Sequence, residues 1–265
     1  MCKDCGCGVD PNSHSHNGVV HSHEHVHGTS HTHPHAHPHE HSPEQAAVET
    51  RTVEIQQKIL SRNDEQAERN RAWLNEHGVV AVNLISSPGT GKTYLLERTL
   101  DGLRGKVSCA VITGDQRTDN DARRLQGKGA PVRQIETLNS CHLDAEQVGR
   151  LLPEVAGGGV KLLFIENVGN LVCPSAFDLG ESFKIALLST TEGEDKPVKY
   201  PTLFSAAPVA VLTKMDLAPH LDWSVAACRA ALRQVRPGVF IFELSAKTGL
   251  GMDAWLDYLV KLVDK

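Results

Sequence analysis

A chain of 265 residues is long enough for one large α/β domain with an appendage. A net charge of −5 with no basic tract argues against a nucleic-acid binder, and no apolar run approaches a membrane span. Seven cysteines, in a chain whose opening M-C-K-D-C-G-C carries no apolar export signal, point to a reducing cytoplasm and to free or metal-bound thiols.

The first 43 residues differ in kind from the rest. Cys2, Cys5 and Cys7 form C-x-x-C-G-C. Behind them come His14, His16, His21, His23, His25, His27, His31, His33, His35, His37, His39 and His41, twelve of the fifteen histidines in the chain. Almost nothing there builds a core, so burial cannot offset roughly 1–2 kcal/mol of backbone ordering per residue. Residues 1–43 are therefore expected to be a disordered Cys/His-rich metal-binding tail. Three thiolates within six residues, with the α-amino group, supply four donors for one ion. Histidines alternating with small residues and proline make a polydentate imidazole chain suited to nickel, zinc or copper. A pH-responsive solubility tail is the plainer alternative.

Residues 44–78 read as an N-terminal helical segment, started by Ser42-Pro43-Glu44 and stopped by Gly78. Residues 79–265 read as the main folded domain. Short β-branched runs predict strands at 79–86, 107–113, 131–135, 161–166, 183–189, 208–213 and 239–245. Amphipathic stretches predict helices at 92–104, 119–127, 144–155, 222–235 and 252–264. Near-continuous apolar strands alternating with helices imply an α/β fold: a mostly parallel sheet of about seven strands, helices on both faces. Ligands of such a sheet bind at the carboxyl ends of its strands.

The first predicted strand runs into S-S-P-G-T-G-K-T (86–93), a phosphate loop in which Ser86 replaces the usual first glycine, as in P-loop NTPases. Gly89 and Gly91 let backbone N–H groups turn toward a phosphate, Lys92 reaches the outer phosphates, and Thr93 offers its hydroxyl to Mg²⁺. Ser87, Pro88, Thr90 and Tyr94 complete the expected phosphate-side contacts. Asp115, in T-G-D-Q-R-T-D-N-D-A-R, is placed to hold Mg²⁺ or its waters, or to orient the attacking water. Asp119, Asn120 and Asp121 are read as helix-capping residues. In E-N-V-G (166–169), Glu166 is placed for the metal and Gly169 for an N–H to the γ-phosphate. Lys92, Asp115 and Glu166 are thus the expected catalytic residues, and Thr93, Asp115 and Glu166 the magnesium set.

T-K-M-D (213–216) reads the base. The Asp216 carboxylate matches the paired N–H donors of guanine, which adenine lacks, so GTP is expected over ATP. Lys214 lays its stem along the purine, and L-S-A-K-T (244–248) offers a backbone N–H, with Ser245, Ala246 and Lys247 around it. Thr213 stands where asparagine is usual, and the loss of an amide brace on the phosphate loop is expected to weaken affinity without altering specificity. No glutamine is placed for the attacking water, so turnover is expected to be slow, about 10⁻⁴–10⁻² s⁻¹.

Two loops on the nucleotide side carry a second metal signal. Cys141-His142 follows the 131–135 strand, and Cys173 follows E-N-V-G-N-L-V. A thiol just downstream of a γ-phosphate sensor moves when the sensor moves, so these three residues are expected to bind metal under nucleotide control. Cys109 and Cys228 read as small buried apolar residues.

Together, C-x-x-C-G-C, the histidine-rich insert, S-P-G-T-G-K-T, E-N-V-G-N-L-V-C-P, T-K-M-D and L-S-A-K-T-G-x-G resemble the HypB family of nickel-incorporation GTPases. The resemblance implies a SIMIBI-class GTPase that forms a homodimer with GTP, and a cytoplasmic nickel metallochaperone of [NiFe]-hydrogenase maturation. It implies tight nickel binding at Cys2, Cys5 and Cys7, storage on the histidines, and a weaker Ni²⁺ or Zn²⁺ site at Cys141, His142 and Cys173. It implies as partners a small zinc-containing accessory chaperone and the hydrogenase large subunit, with neither nucleic acid nor membrane. A nickel or zinc buffer without a delivery role, or a urease-type nickel-insertion GTPase, remains open at this stage.

Overall fold

The computed structural model describes residues 13–16, 19–22, 43–115, 120–137 and 140–264, and the chain divides into two units, residues 1–48 and 49–265. The first unit holds an antiparallel hairpin, β1 (Ser13–His16) and β2 (Val19–Ser22), with His14 opposite His21 in register. Cys2, Cys5, Cys7 and the histidines from His23 to His41 lie outside the described residues, and so does the expectation that they form a disordered tail. Helix α1 (Pro43–Glu76) follows, and Gly78 turns the chain into the sheet with φ 63°.

The second unit alternates as the sequence predicts. Its elements are β3 (Val80–Ile85), α2 (Lys92–Leu103), β4 (Cys109–Asp115), α3 (Asn120–Leu125), β5 (Val132–Glu136), α4 (Ala145–Val155) and β6 (Leu162–Glu166). Then come α5 (Cys173–Ala176), β7 (Phe183–Ser189), α6 (Lys196–Lys199), α7 (Pro201–Ala206) and β8 (Val209–Thr213). A 3₁₀ turn (Met215–His220), α8 (Val225–Val235), β9 (Phe240–Glu243) and α9 (Met252–Val263) complete it. The seven strands pair in parallel in the order β5-β4-β6-β3-β7-β8-β9. Leu84 and Thr113 both register with Glu166, so the carboxyl ends of three central strands finish side by side.

Several boundaries differ from the sequence reading for local reasons. β4 runs two residues beyond the predicted 113, which carries Asp115 to the strand end. α8 starts at Val225 because the Ser224 hydroxyl accepts from Ala227 N at 3.2 Å and caps it. α3 is shorter than 119–127, ending before Gly127 at φ 76°. The short helices α5, α6 and α7 were not predicted; each has proline at its first or second position and is too short to display a 3.6-residue period.

The sheet is covered on both faces, which is why its strands read as unbroken apolar runs. Val82, Leu84, Val111 and Phe164 pack under α2 and α9, where Trp255 donates to the buried Thr99 hydroxyl at 2.9 Å. Ala81, Ile112, Leu163 and Ile165 pack under α4 and Leu74 of α1, and Ala186, Leu188 and Leu212 pack against Phe204 and Leu232. α1 docks through polar groups as well. Asn63 Nδ2 donates to Asp178 O at 2.7 Å, Asn70 Nδ2 donates to Ala145 O at 2.7 Å and Leu179 O at 2.9 Å, and Arg71 pairs with Asp178.

Gly180 permits that docking. Its φ is +89°, and a Cβ there would lie 2.5 Å from Asn70 Cβ and 2.7 Å from Ala67 O. Gly180→Ala is expected to lower the unfolding free energy by about 2–4 kcal/mol in denaturant titration. A loss below about 0.5 kcal/mol would show that α1 does not sit this closely on the domain.

Candidate nucleotide and metal site

The phosphate loop leaves β3 and folds back into α2. Gly91 caps that helix at φ 100°, a left-handed conformation that suits glycine. Lys92 Nζ donates to Ser86 Oγ at 3.0 Å, so the serine at the usual glycine position holds the lysine across the loop. Ser86 Oγ and Thr90 Oγ1 both donate to Ser87 O, at 2.8 and 2.9 Å. Thr93 Oγ1 donates to Glu166 Oε1 at 2.6 Å, bringing the expected magnesium ligands together. Their oxygen donors suit a hard divalent cation such as Mg²⁺. Asp115 and Gly169 line the same cavity of about 450 Å³ as Gly89, Gly91, Lys92 and Thr93. A Cβ at Gly169 would approach Pro88 Cα to 3.0 Å, so the sensor loop lies against the phosphate loop.

A second cavity of about 200 Å³ adjoins the first, and Gly91 and Tyr94 line both. Thr213, Lys214, Asp216, Ser245, Ala246 and Lys247 line it, as the sequence predicts for a base pocket. Lys214 is the non-glycine residue with positive φ, 56°, among the described residues, and its Nζ donates to Gly89 O at 2.8 Å. Its stem therefore crosses the space above Gly91. Thr213 supplies a contact that the sequence reading did not foresee. Its hydroxyl donates to Thr90 O at 2.8 Å, so threonine itself braces the phosphate loop from β8.

Two residues of this site escaped sequence reasoning. Lys196 Nζ donates to Ser87 Oγ at 2.6 Å and to Glu192 Oε1 at 3.2 Å. Glu192 also accepts from Thr90 Oγ1 at 3.2 Å and from Ser189 N at 3.1 Å. The pair ties the outer wall of the phosphate loop to the exit of β7. A charged T-E-G-E-D-K-P run looks like a solvated loop, and only the dense charge at a strand exit could have marked it.

The three expected metal donors of the domain also come together. The donor atoms of Cys141, His142 and Cys173 all lie within 4.8 Å of one another, and Cys141 Sγ is 3.7 Å from His142 Nδ1. The His142 ring lies 3.9 Å from the Phe177 ring, centroid to centroid. Burial pushes the His142 pKa below its ordinary value, against the opposing Asp144 charge, which keeps the imidazole neutral and able to ligate at pH 7. Two sulfurs and one imidazole suit zinc or nickel and leave room for a further ligand. Cys109 and Cys228 are buried with their thiols pushed up to about 12 by desolvation, as small apolar residues should be. Side chains at 119–121, expected to cap α3, lie outside the described residues.

The CobW/HypB/UreG nucleotide-binding domain family matches residues 80–243, which run from β3 through β9. The hydrogenase maturation factor HypB of Azotobacter chroococcum mcd 1 is 51% identical over 211 residues, covering 80% of this chain and 69% of the relative. HypB of Escherichia coli K12 is 49% identical over 209 residues, covering 79% and 72%. The chain belongs to the HypB family. The crystal structure of HypB from Archaeoglobus fulgidus superposes with a TM-score of 0.73 at 37% identity, covering 77% of this chain and all of that one. The HypB structure from Helicobacter pylori in complex with nickel gives 0.72 at 35% identity, covering 77% and 95%. The family match contains the phosphate loop, the cysteine and histidine cluster and T-K-M-D, whereas the cysteines and histidines of residues 1–43 precede it. Among the described residues no helix is long and apolar enough to cross a membrane.

The threonine brace is testable. Thr213→Val removes the bond to Thr90 O and is expected to weaken nucleotide affinity by about 2–10-fold, near the net worth of one buried hydrogen bond. Titration with a fluorescent nucleotide measures it, and unchanged affinity would mean that the brace does not shape the loop.

Proposed function

We propose that this protein is a GTP-hydrolysing nickel metallochaperone that delivers nickel during [NiFe]-hydrogenase maturation, with metal release governed by the bound nucleotide. The observation that carries the reading is the placement of Cys141, His142 and Cys173 on the two loops that flank the phosphate cavity. A storage protein has no need of donors there. The family membership and the nickel-bound relative support the choice of metal.

In this reading the backbone N–H groups of residues 87–93 cradle the phosphates and Lys92 offsets their charge. Thr93, Glu166 and Asp115 would hold Mg²⁺, which neutralises charge on the β- and γ-phosphates when bound. Asp216 selects guanine, Lys214 and Tyr94 border the purine, and the 245–247 loop closes the pocket. Gly169 reads the γ-phosphate through its N–H. Hydrolysis is slow in this reading because no glutamine lines the phosphate cavity among the described residues, which suits a timer for metal transfer. The GTP-bound protein forms a homodimer, receives or passes nickel through a small zinc-containing accessory chaperone, and gives it to the hydrogenase large subunit. The cytoplasm is where such partners meet. Cys2, Cys5 and Cys7 form a tight nickel site, and the histidines from His14 to His41 hold a reserve of the ion.

The deciding experiment is metal analysis of the purified full chain with GDP and with a non-hydrolysable GTP analogue. Wild type is expected to differ in bound nickel between the two states by up to one ion per chain. Cys173→Ser is expected to remove that difference while GTP affinity stays within about twofold. Equal nickel content in both states of the wild type would favour a buffer over a gated chaperone. Asp216→Asn is expected to shift preference from guanine to xanthine nucleotides by at least about tenfold, read by competition binding. Retained guanine preference would remove Asp216 from base recognition.

A further inference from the structure

We infer that Asn167 is the positioning residue through which the occupant of the phosphate cavity sets the geometry of the metal cluster. This rests on the gating proposed above and names the part that transmits it. Asn167 is buried, 1% exposed, at the exit of β6. Its Oδ1 accepts from two backbone amides, Val168 N at 3.0 Å and Leu143 N at 3.2 Å. Val168 adjoins Gly169, which lies against Pro88 of the phosphate loop. Leu143 adjoins His142. One carboxamide oxygen thus joins the segment that touches the phosphate loop to the segment that carries two of the three ligands.

The surroundings make that bond a transmitter. Asn167 Nδ2 donates to Asn83 Oδ1 at 3.3 Å, and Asn83 Nδ2 donates to Glu181 Oε1 at 3.1 Å. Glu181 Oε2 accepts from Leu179 N at 2.6 Å, in the segment that follows Cys173 and α5. The 140–145 loop is pinned at both ends: Thr137 Oγ1 donates to Ser140 O at 2.9 Å, and Ala145 N donates to Asn63 Oδ1 at 2.9 Å. Between those pins Leu143 N is held by Asn167. If Val168 moved and Leu143 did not, a buried N–H would lose its acceptor, so the two amides move together. The donor atoms of Cys141, His142 and Cys173 lie within 4.8 Å of one another, against the donor spacing of about 3.5–3.8 Å that a tetrahedral ion with 2.3 Å metal–sulfur bonds requires, so the spacing of the 141–142 loop from Cys173 decides whether all three can reach one ion. A displacement of about 1 Å at Leu143 therefore makes or spoils the site.

The test is amide hydrogen exchange of the full chain at saturating GDP–Mg²⁺ and at a saturating non-hydrolysable GTP analogue. In wild type, peptides spanning 166–170 and 140–145 are expected to change protection together. In Asn167→Ser the shorter hydroxyl reaches only its neighbour, so 166–170 still responds and the change at 140–145 falls at least fivefold. Asn167→Asp keeps the oxygen that both amides need and is expected to restore the response. In parallel, Zn²⁺ competition titration, with Cys141→Ser proteins as the background for other sites, reads the ratio of affinities in the two nucleotide states. That ratio is expected to lie within about 5–150-fold in wild type and within about twofold of unity in Asn167→Ser. A wild-type 140–145 peptide that ignores nucleotide would sink the gating reading and this inference with it. Gated wild type with equally gated Asn167→Ser would leave the gating reading standing and overturn the role of Asn167. Should Asn167→Ser fail to bind nucleotide, the Asn167→Asp protein decides, and loss of coupling there counts against the inference.

Discussion

A parallel sheet buried on both faces has only its rims free for chemistry. Here that constraint shapes everything else. With Glu166 level with Leu84 and Thr113, the exits of three neighbouring strands open onto one small region. The phosphate loop, Asp115 and the E-N-V-G loop emerge there because right-handed crossovers return every strand in the same direction. The candidate metal donors share the rim because their loops leave β5 and β6, the strands on either side of β4. Proximity of the two candidate sites is a consequence of topology before it is a feature of any side chain.

The phosphate loop itself is held by groups distant in sequence. Thr213 from β8, Lys214 beyond it, and the Glu192–Lys196 pair from the exit of β7 all bond to it. Each such bond is worth only about 0.5–3 kcal/mol net, but their common effect is to hold the loop's shape. Preorganised dipoles stabilise an anion without reorganisation on binding. The same bonds carry the base pocket's position into the phosphate cavity, since Lys214 belongs to one and touches the other.

Helix α1 contributes through amides as well as through apolar packing. Asn63 and Asn70 lie two turns apart and each bridges the N-terminus of α4 to the 178–179 segment. Those two regions follow His142 and Cys173 respectively. Helix α1 therefore ties together the two segments that follow these candidate metal donors. A buried asparagine pair resists sliding, because any shift leaves several donors and acceptors unmatched.

The sequence by itself determined the alternation of strands and helices, the order of nucleotide motifs and which cysteines and histidine of the domain are candidates for a metal. These rest on local signals: apolar periodicity, glycine placement, and the chemistry of cysteine and histidine. It fixed Cys109 and Cys228 as core residues because their neighbours within one strand and one helix face are apolar. Only the tertiary structure decided that the Thr213 hydroxyl bonds to the phosphate loop, that Glu192 and Lys196 contact it, and that Asn167 bonds across to Leu143. Each of those contacts joins residues 24 to 123 positions apart. The reach of a hydroxyl, an ammonium or a carboxamide is a few ångströms, and which partner falls inside it depends on the packing of the whole sheet.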